Sequence, residues 1–256
     1  MRPSSRLLAV VAVLAVGVAA CGSDSSDEPA TGVGDVTVFA AASLTAAFTE
    51  IGEAFTLEHP GADVTFNFAA SSELVAQIGQ GAPADVFASA DKSNMTKLTD
   101  AGNNATGPET FATNLLEIIV GPGNPQGVTG VADLANENLI VVICAPEVPC
   151  GKYAAQVFES AGVTVAFKSL EENVKAVVSK VILGEADAGI VYKTDVDAAG
   201  DKAAGVEIPT DINVLAEYPI AVTKDAPNAE GAQAFIDFVQ SEQGRGILAS
   251  YGFLAP

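Results

Sequence analysis

The chain has 256 residues, 49% of them apolar and 17% charged, with 12 Lys+Arg against 32 Asp+Glu and a formal charge of −20. That length allows one large domain or two lobes of roughly 100–130 residues, and the apolar share excludes a disordered chain. The acidic balance excludes a nucleic-acid binder; one His and three Cys leave too few ligands for the usual zinc or iron–sulfur spacings, and no Trp with four Tyr makes poor sugar platforms.

In chain order, Arg2 and Arg6 form a basic start, followed at 7–20 by an unbroken apolar/Gly run of fourteen residues. A bilayer span needs about 20 apolar residues, so this run reads as a signal peptide, 1–20, rather than a membrane helix. It closes on Val18-Ala-Ala-Cys21. This resembles the lipobox of bacterial lipoproteins, which implies cleavage before Cys21 and lipid on that cysteine; an ordinary secretory leader with an incidental cysteine is the alternative. Residues 21–34 have almost no apolar side chain and read as a flexible tether reaching roughly 20 Å. The folded part, 35–256, is then expected outside the cytoplasm, lipid-anchored to the cell membrane. Loss of two arginines takes the formal charge from −20 to −22.

Strands and helices alternate beyond the tether. Residues 36–39 read as a strand, followed by Ser43 and a helix with Leu44, Ala47, Phe48, Ile51 and Phe55 on one face. Residues 63–68 alternate as a strand, and Ser71 opens a helix carrying Leu74, Val75 and Ile78. Residues 85–88 are strand-like, with Asp91 capping a helix to Leu98. The apolar runs 115–120 and 139–143 suit strands buried on both faces. Helices are predicted at 152–161 and 173–183, strands at 188–192 and 218–223, and closing helices at 229–239 and 242–250. The alternation argues an α/β fold with parallel strands and crossover helices, in which ligands bind beyond the carboxyl ends of strands. With Cys21 set aside, Cys144 and Cys150 remain. Outside the cytoplasm cysteines tend to pair, so a disulfide is expected across this short loop, the alternative being two buried thiols.

Several strand-to-helix junctions share one chemistry, a small or hydroxyl residue where the helix begins: Ala40-Ala-Ala-Ser43, Ala69-Ala-Ser-Ser72, Pro149-Cys-Gly151 and Glu172-Asn-Val174. First-turn N–H groups have no partner inside the helix and carry partial positive charge. Several such ends converging would hold an anion without a cationic side chain, although each serine taken alone is more often just a helix cap, and only the conjunction points to a site. Lys152 and Lys175 read as solvated helix-surface lysines. Glu73, Glu171 and Glu172 read as first-turn acids pointing away from the site.

Three segments, Val36-Thr-Val-Phe-Ala-Ala-Ala-Ser-Leu-Thr45, Phe68-Ala-Ala-Ser-Ser-Glu-Leu74 and Gly81-Ala-Pro-Ala-Asp-Val-Phe-Ala-Ser-Ala-Asp91, resemble the molybdate-binding proteins of bacterial ABC importers. So do Pro146-Glu-Val-Pro-Cys-Gly151, Gly189-Ile-Val-Tyr192, Glu217-Tyr-Pro-Ile-Ala221 and Tyr251-Gly-Phe253, in the same order over nearly the whole mature chain. The resemblance implies a two-lobed, type II periplasmic-binding-protein fold: each lobe a mixed, mostly parallel sheet flanked by helices, with two hinge crossings. Lobe 1 is expected at 35–118 and 217–256, lobe 2 at 119–216. The resemblance further implies that Ser43 and Ser71 donate from the first lobe, and that Cys150 and Val174 (main-chain N–H) and Tyr192 (hydroxyl) donate from the second. Relatives often carry Ala where this chain has Cys150. The implied ligand is molybdate or tungstate, held as an oxyanion without a direct protein–metal bond. The implied partners are an ABC permease and its ATPase. A monomer without cofactor is expected.

The ligand chemistry agrees on separate grounds. Molybdate and tungstate offer only acceptors at neutral pH, whereas monoprotonated phosphate must donate one hydrogen bond, and an all-donor site leaves that proton unpaired at about 1–3 kcal/mol. Sulfate carries no proton and differs only in size, so a same-fold binder of sulfate or a phosphonate is the main alternative. An enzyme is not expected: the only histidine, His59, sits at a helix exit, and a Cys150–His59 pair would forfeit the disulfide.

Overall fold

A computed structural model describes residues 32–256; the leader 1–20, Cys21 and most of the tether lie outside them. β1 (Val36–Ala41) lies between β2 (Val64–Ala69) and β3 (Val86–Ala88), both parallel to it. A second parallel set places β5 (Val141–Cys144) between β6 (Ser169–Glu171) and β7 (Ala188–Tyr192). β1, β5 and β7 are almost entirely buried, as their continuous apolar runs require.

Two strands join these sets. β4 (Glu109–Val120) pairs with β9 (Leu215–Val222) through residues 109–115, then with β7 and β8 (Ala204–Glu207) through residues 116–120. β9 also pairs with β3, which completes the order β2-β1-β3-β9-β4-β7-β5-β6. Every antiparallel pair involves β4 or β9, and the other pairs are parallel. The apolar run at 115–120 is thus only the second part of a 12-residue strand, about 40 Å long at the usual rise. Its first part carries Glu109, Thr110, Thr113 and Asn114, which hid it.

Each parallel strand feeds a helix. β1 leads through a single 3-10 turn (Ala42–Leu44) into α1 (Thr45–Glu58), β2 into α2 (Ser71–Gly79) and β3 into α3 (Lys92–Asp100). β5 leads into α4 (Pro149–Ala161), β6 into α5 (Val174–Ile182) and β7 into α6 (Lys193–Ala199). α4 begins three residues earlier than its apolar pattern indicates; Pro149 opens it, where a missing N–H costs no hydrogen bond. α7 (Ala229–Gln240) and α8 (Glu242–Ser250) close the chain. Phe48 and Phe55 of α1 meet Phe235 of α7 at 6.0 and 5.5 Å between ring centroids, tying first helix to late helix. On the opposite sheet face Phe39, Leu74, Ile78, Phe87, Met95 and Leu98 form a second core under α2 and α3. Each fully buried side chain of this size contributes roughly 1.5–3 kcal/mol.

One core group is electrostatically strained. Glu117 of β4 is buried opposite Glu207 of β8, and one of its carboxylate oxygens has no hydrogen-bond partner among the described residues. Burial raises its pKa above the usual carboxylate value; Lys193, 4.0 Å away, opposes this, and Asp197 and Glu207 add to it. Because the folded-state pKa lies above the unfolded one, the ionised carboxylate costs stability at neutral pH, and the cost disappears on acidification. Glu117→Gln should therefore raise the unfolding temperature at neutral pH, about 2–4 °C for each 1 kcal/mol relieved. Calorimetry across a pH series should find the gain shrinking towards the ordinary carboxylate range; a gain constant with pH would contradict this account.

Candidate functional site

The ends of β1, β2, β3, β5, β6 and β7 converge on one small cavity lined by Ala41, Ala42, Ser43, Ala69, Ala70, Ser71, Ala90, Val148, Pro149, Cys150, Asn173, Val174 and Tyr192. All five residues expected at the site, Ser43, Ser71, Cys150, Val174 and Tyr192, line it, although they are spread over 150 positions of sequence. About 10 Å³ is open to the centre of a water-sized sphere, room for about one water-sized occupant, so no sugar or amino acid fits unless the walls move apart. None of these lining residues is Asp, Glu, Lys, Arg or His.

The two serines are not helix caps. Ser43 lies within the 3-10 turn, and Ser71 is the first residue of α2, whose cap position is Ala70 with no side-chain bond. Their hydroxyls are instead tied across the fold: Ser71 Oγ accepts the Ala90 N–H at 3.0 Å, and Ser43 Oγ lies 3.0 Å from the Tyr218 hydroxyl. Val174 opens α5 behind the cap Asn173, whose Oδ1 accepts the Ala176 N–H at 3.1 Å. Cys150 is the second residue of α4. The main-chain N–H groups of both belong to first turns, which have no acceptor inside their helices.

Gly151 explains how β5 and α4 approach so closely. A Cβ there would run into the carbonyl oxygens of Cys144 and Ala145, so only glycine fits. The same turn is closed by a disulfide between Cys144 and Cys150, with Cα atoms 5.7 Å apart. Cys150 therefore carries no free thiol, which removes it as a nucleophile. His59 lies at the end of α1 with its ring 4.4 Å from that of Phe55.

Tyr192 is the most informative side chain. It is buried, it ends β7, and its hydroxyl has no hydrogen-bond partner among the described residues. A buried hydroxyl without a partner costs roughly 1–3 kcal/mol, which a bound acceptor would recover. Burial, reinforced by Tyr218, Tyr153, Asp91 and Asp195, holds its pKa far above the usual phenol value, so it remains a proton donor.

Charge enters one layer back, where the lysines differ from expectation. Lys152 and Lys175 are not solvated surface residues: Lys152 Nζ lies 2.9 Å from Asp91 Oδ2, and Lys175 Nζ lies 2.8 Å from Asp195 Oδ1. Both aspartates are buried. Asp91 also caps α3 through the Asn94 N–H at 2.9 Å, as expected. Asp195 has its pKa raised by burial, against the pull of Lys175 and the Tyr192 N–H. Glu171 pairs with Lys180 at 2.7 Å and Glu73 accepts from Gln77; neither lines the cavity. The partners missed by sequence reading are Asp91 for Lys152, Asp195 for Lys175, Tyr218 for Ser43 and Ala90 for Ser71. The separations are 61 positions for Lys152 and Asp91, 20 for Lys175 and Asp195, 175 for Ser43 and Tyr218, and 19 for Ser71 and Ala90, all beyond the reach of local pattern.

A model of bacterial extracellular solute-binding proteins matches residues 36–254. The chain belongs to that family. The molybdate-binding protein ModA of Mycobacterium tuberculosis is 43% identical over 251 residues, covering 96% of both chains. ModA of Escherichia coli is 35% identical over 250 residues, covering 93% of this chain and 94% of its own. Among solved structures, the Azotobacter vinelandii periplasmic molybdate-binding protein superposes with a TM-score of 0.75 at 23% identity, covering 86% of this chain and 99% of that one. The sulfate-binding protein SubI of Mycobacterium tuberculosis gives 0.79 at 19% identity, covering 86% of each. These superpositions establish a periplasmic-binding-protein fold for the solute-binding protein.

The Cys144–Cys150 ring encloses few residues, so its effect on the unfolded chain is worth only about 2 kcal/mol. Reduction, or a Cys144→Ser, Cys150→Ser double variant, should lower the unfolding temperature by about 4–8 °C in scanning calorimetry. No change would mean that the ring adds nothing to stability.

Proposed function

We propose that this solute-binding protein captures molybdate through the Ser43 and Ser71 hydroxyls, the Cys150 and Val174 N–H groups and the Tyr192 hydroxyl. The observation that carries the reading is the convergence of these neutral donors on one cavity lined by no acidic side chain. A tetrahedral dianion with acceptors on every side matches such a lining, and helix starts supply the compensating partial charge. Tungstate, of the same shape and charge, is taken as well.

The expected lobes, 35–118 with 217–256 and 119–216, place Ser43 and Ser71 on one side of the ligand and Cys150, Val174 and Tyr192 on the other. β4 and β9 are the crossings in this reading, and closing the lobes brings the two donor groups together. The protein hands the oxyanion to an ABC permease driven by its ATPase, and Cys21 carries the lipid that holds it at the membrane. Support for the anchor and the transporter comes from the 30% identical Bacillus subtilis relative YvgL, which is named as an ABC transporter substrate-binding lipoprotein.

Titration calorimetry tests the site. Hydrogen bonds to charged groups are worth about 1.5–3 kcal/mol each, so Ser43→Ala with Ser71→Ala should weaken molybdate binding by about a hundredfold or more. Undiminished affinity in the double variant would overturn the site. In thermal shift, molybdate at about 100 times its Kd should add about 2.7 kcal/mol of stability. A response to sulfate alone would move the ligand to that smaller anion.

A further inference from the structure

We infer that Tyr218 is a positioning residue that sets the direction of hydrogen bonding at Ser43: it donates to Ser43 Oγ, leaving the serine proton for the ligand, and so biases the site against oxyanions that carry a proton. The inference rests on the reading of Ser43 and Ser71 as ligand-binding residues.

A serine hydroxyl has one proton to give and two lone pairs to receive. At Ser71 the direction is fixed by covalent structure. Its Oγ accepts from the Ala90 amide, which has only a proton to offer, so the Ser71 proton points elsewhere. Ser43 lacks such an amide. Its partner is another hydroxyl, Tyr218 at 3.0 Å, and a bond between two hydroxyls can run either way.

Burial decides the direction. Tyr218 is fully buried, and Ser43 Oγ is the one hydrogen-bond partner of its hydroxyl among the described residues. Were Ser43 to donate, the phenolic proton would be left buried without a partner, at the full desolvation penalty; with Tyr218 donating, the serine keeps its own proton for the ligand. Tyr218 lies on β9, which pairs with β3 and β4, so the sheet itself holds the hydroxyl in place. Both serines then face the ligand as obligate donors.

Tyr218→Phe separates this role from simple packing. Calorimetry at mildly alkaline pH would compare molybdate, which has no proton, with inorganic phosphate, which carries one. Without the Tyr218 proton, Ser43 can accept as well as donate. Molybdate affinity should fall about tenfold while phosphate affinity holds or rises, so their ratio narrows at least tenfold. Equal losses for both anions, or no loss for molybdate, would overturn the inference; each ratio is taken within one variant, so a general loss of stability cancels. A double-mutant cycle with Ser43→Ala gives the second measurement. If Tyr218 acts through Ser43, Tyr218→Phe should have no further effect on molybdate binding in the Ser43→Ala background; additive losses would overturn the positioning role alone. Unaltered molybdate affinity in Ser43→Ala itself would overturn the site assignment and this inference with it.

Discussion

A neutral cavity binds an anion only if its donors have no better partner inside the protein, and that constraint organises this molecule. The first N–H groups of a helix satisfy it by geometry, because the acceptor they would use in a longer helix does not exist. Six strand ends are brought to one point, and the side chains there are small enough for a ligand to approach the main chain. The alanines of the lining matter as much as the serines, since a larger residue at Ala42, Ala70 or Ala90 would put carbon where an oxygen should sit. The Tyr192 hydroxyl follows the same rule: it is buried and has no partner among the described residues.

Formal charge is held one layer further out. Asp91 and Asp195 are buried near the cavity, each matched by a lysine from the first turn of a helix that reaches it. Removing either lysine would leave a buried carboxylate uncompensated beside a site meant for anions. The pairs thus keep the surroundings close to neutral, and the Asp91–Lys152 pair also bonds the cap of α3 to the start of α4. Breaking a pair of this kind costs more than forming it contributes.

Much of the fold could be read from local pattern, and the failures have local causes. The helices with a clean apolar stripe, α1, α2, α5 and α7, were found close to their observed bounds, as was β7 with its continuous apolar run. β6, β8 and α6 are three to seven residues long and carry charged or polar side chains, so no periodicity develops. β4 was only half visible because Glu109, Thr110, Thr113 and Asn114 interrupt the apolar run in its first part, although Thr113 and Asn114 are buried. At the site, the helix-start chemistry and the family resemblance together named five lining residues. The hydrogen-bond partners behind them were not legible. Tyr218 is 175 positions from Ser43 and Lys152 is 61 from Asp91, and only the register of β9 against β3 and β4 brings the first pair together. Lys152 and Lys175 were misread for that reason: a lysine in a first helical turn appears solvated until its distant acid is known.

The exterior is as unbalanced as the cavity is neutral. With 32 acidic against 12 basic residues in the whole chain, an incoming dianion meets a field of its own sign before it meets any donor. Dissolved salt weakens that repulsion beyond about 8–10 Å but has little access to hydrogen bonds sealed in the interior. Arrival should therefore quicken as the medium becomes more saline while the residence time of the captured ion barely alters, the reverse of what electrostatic steering by a basic funnel produces.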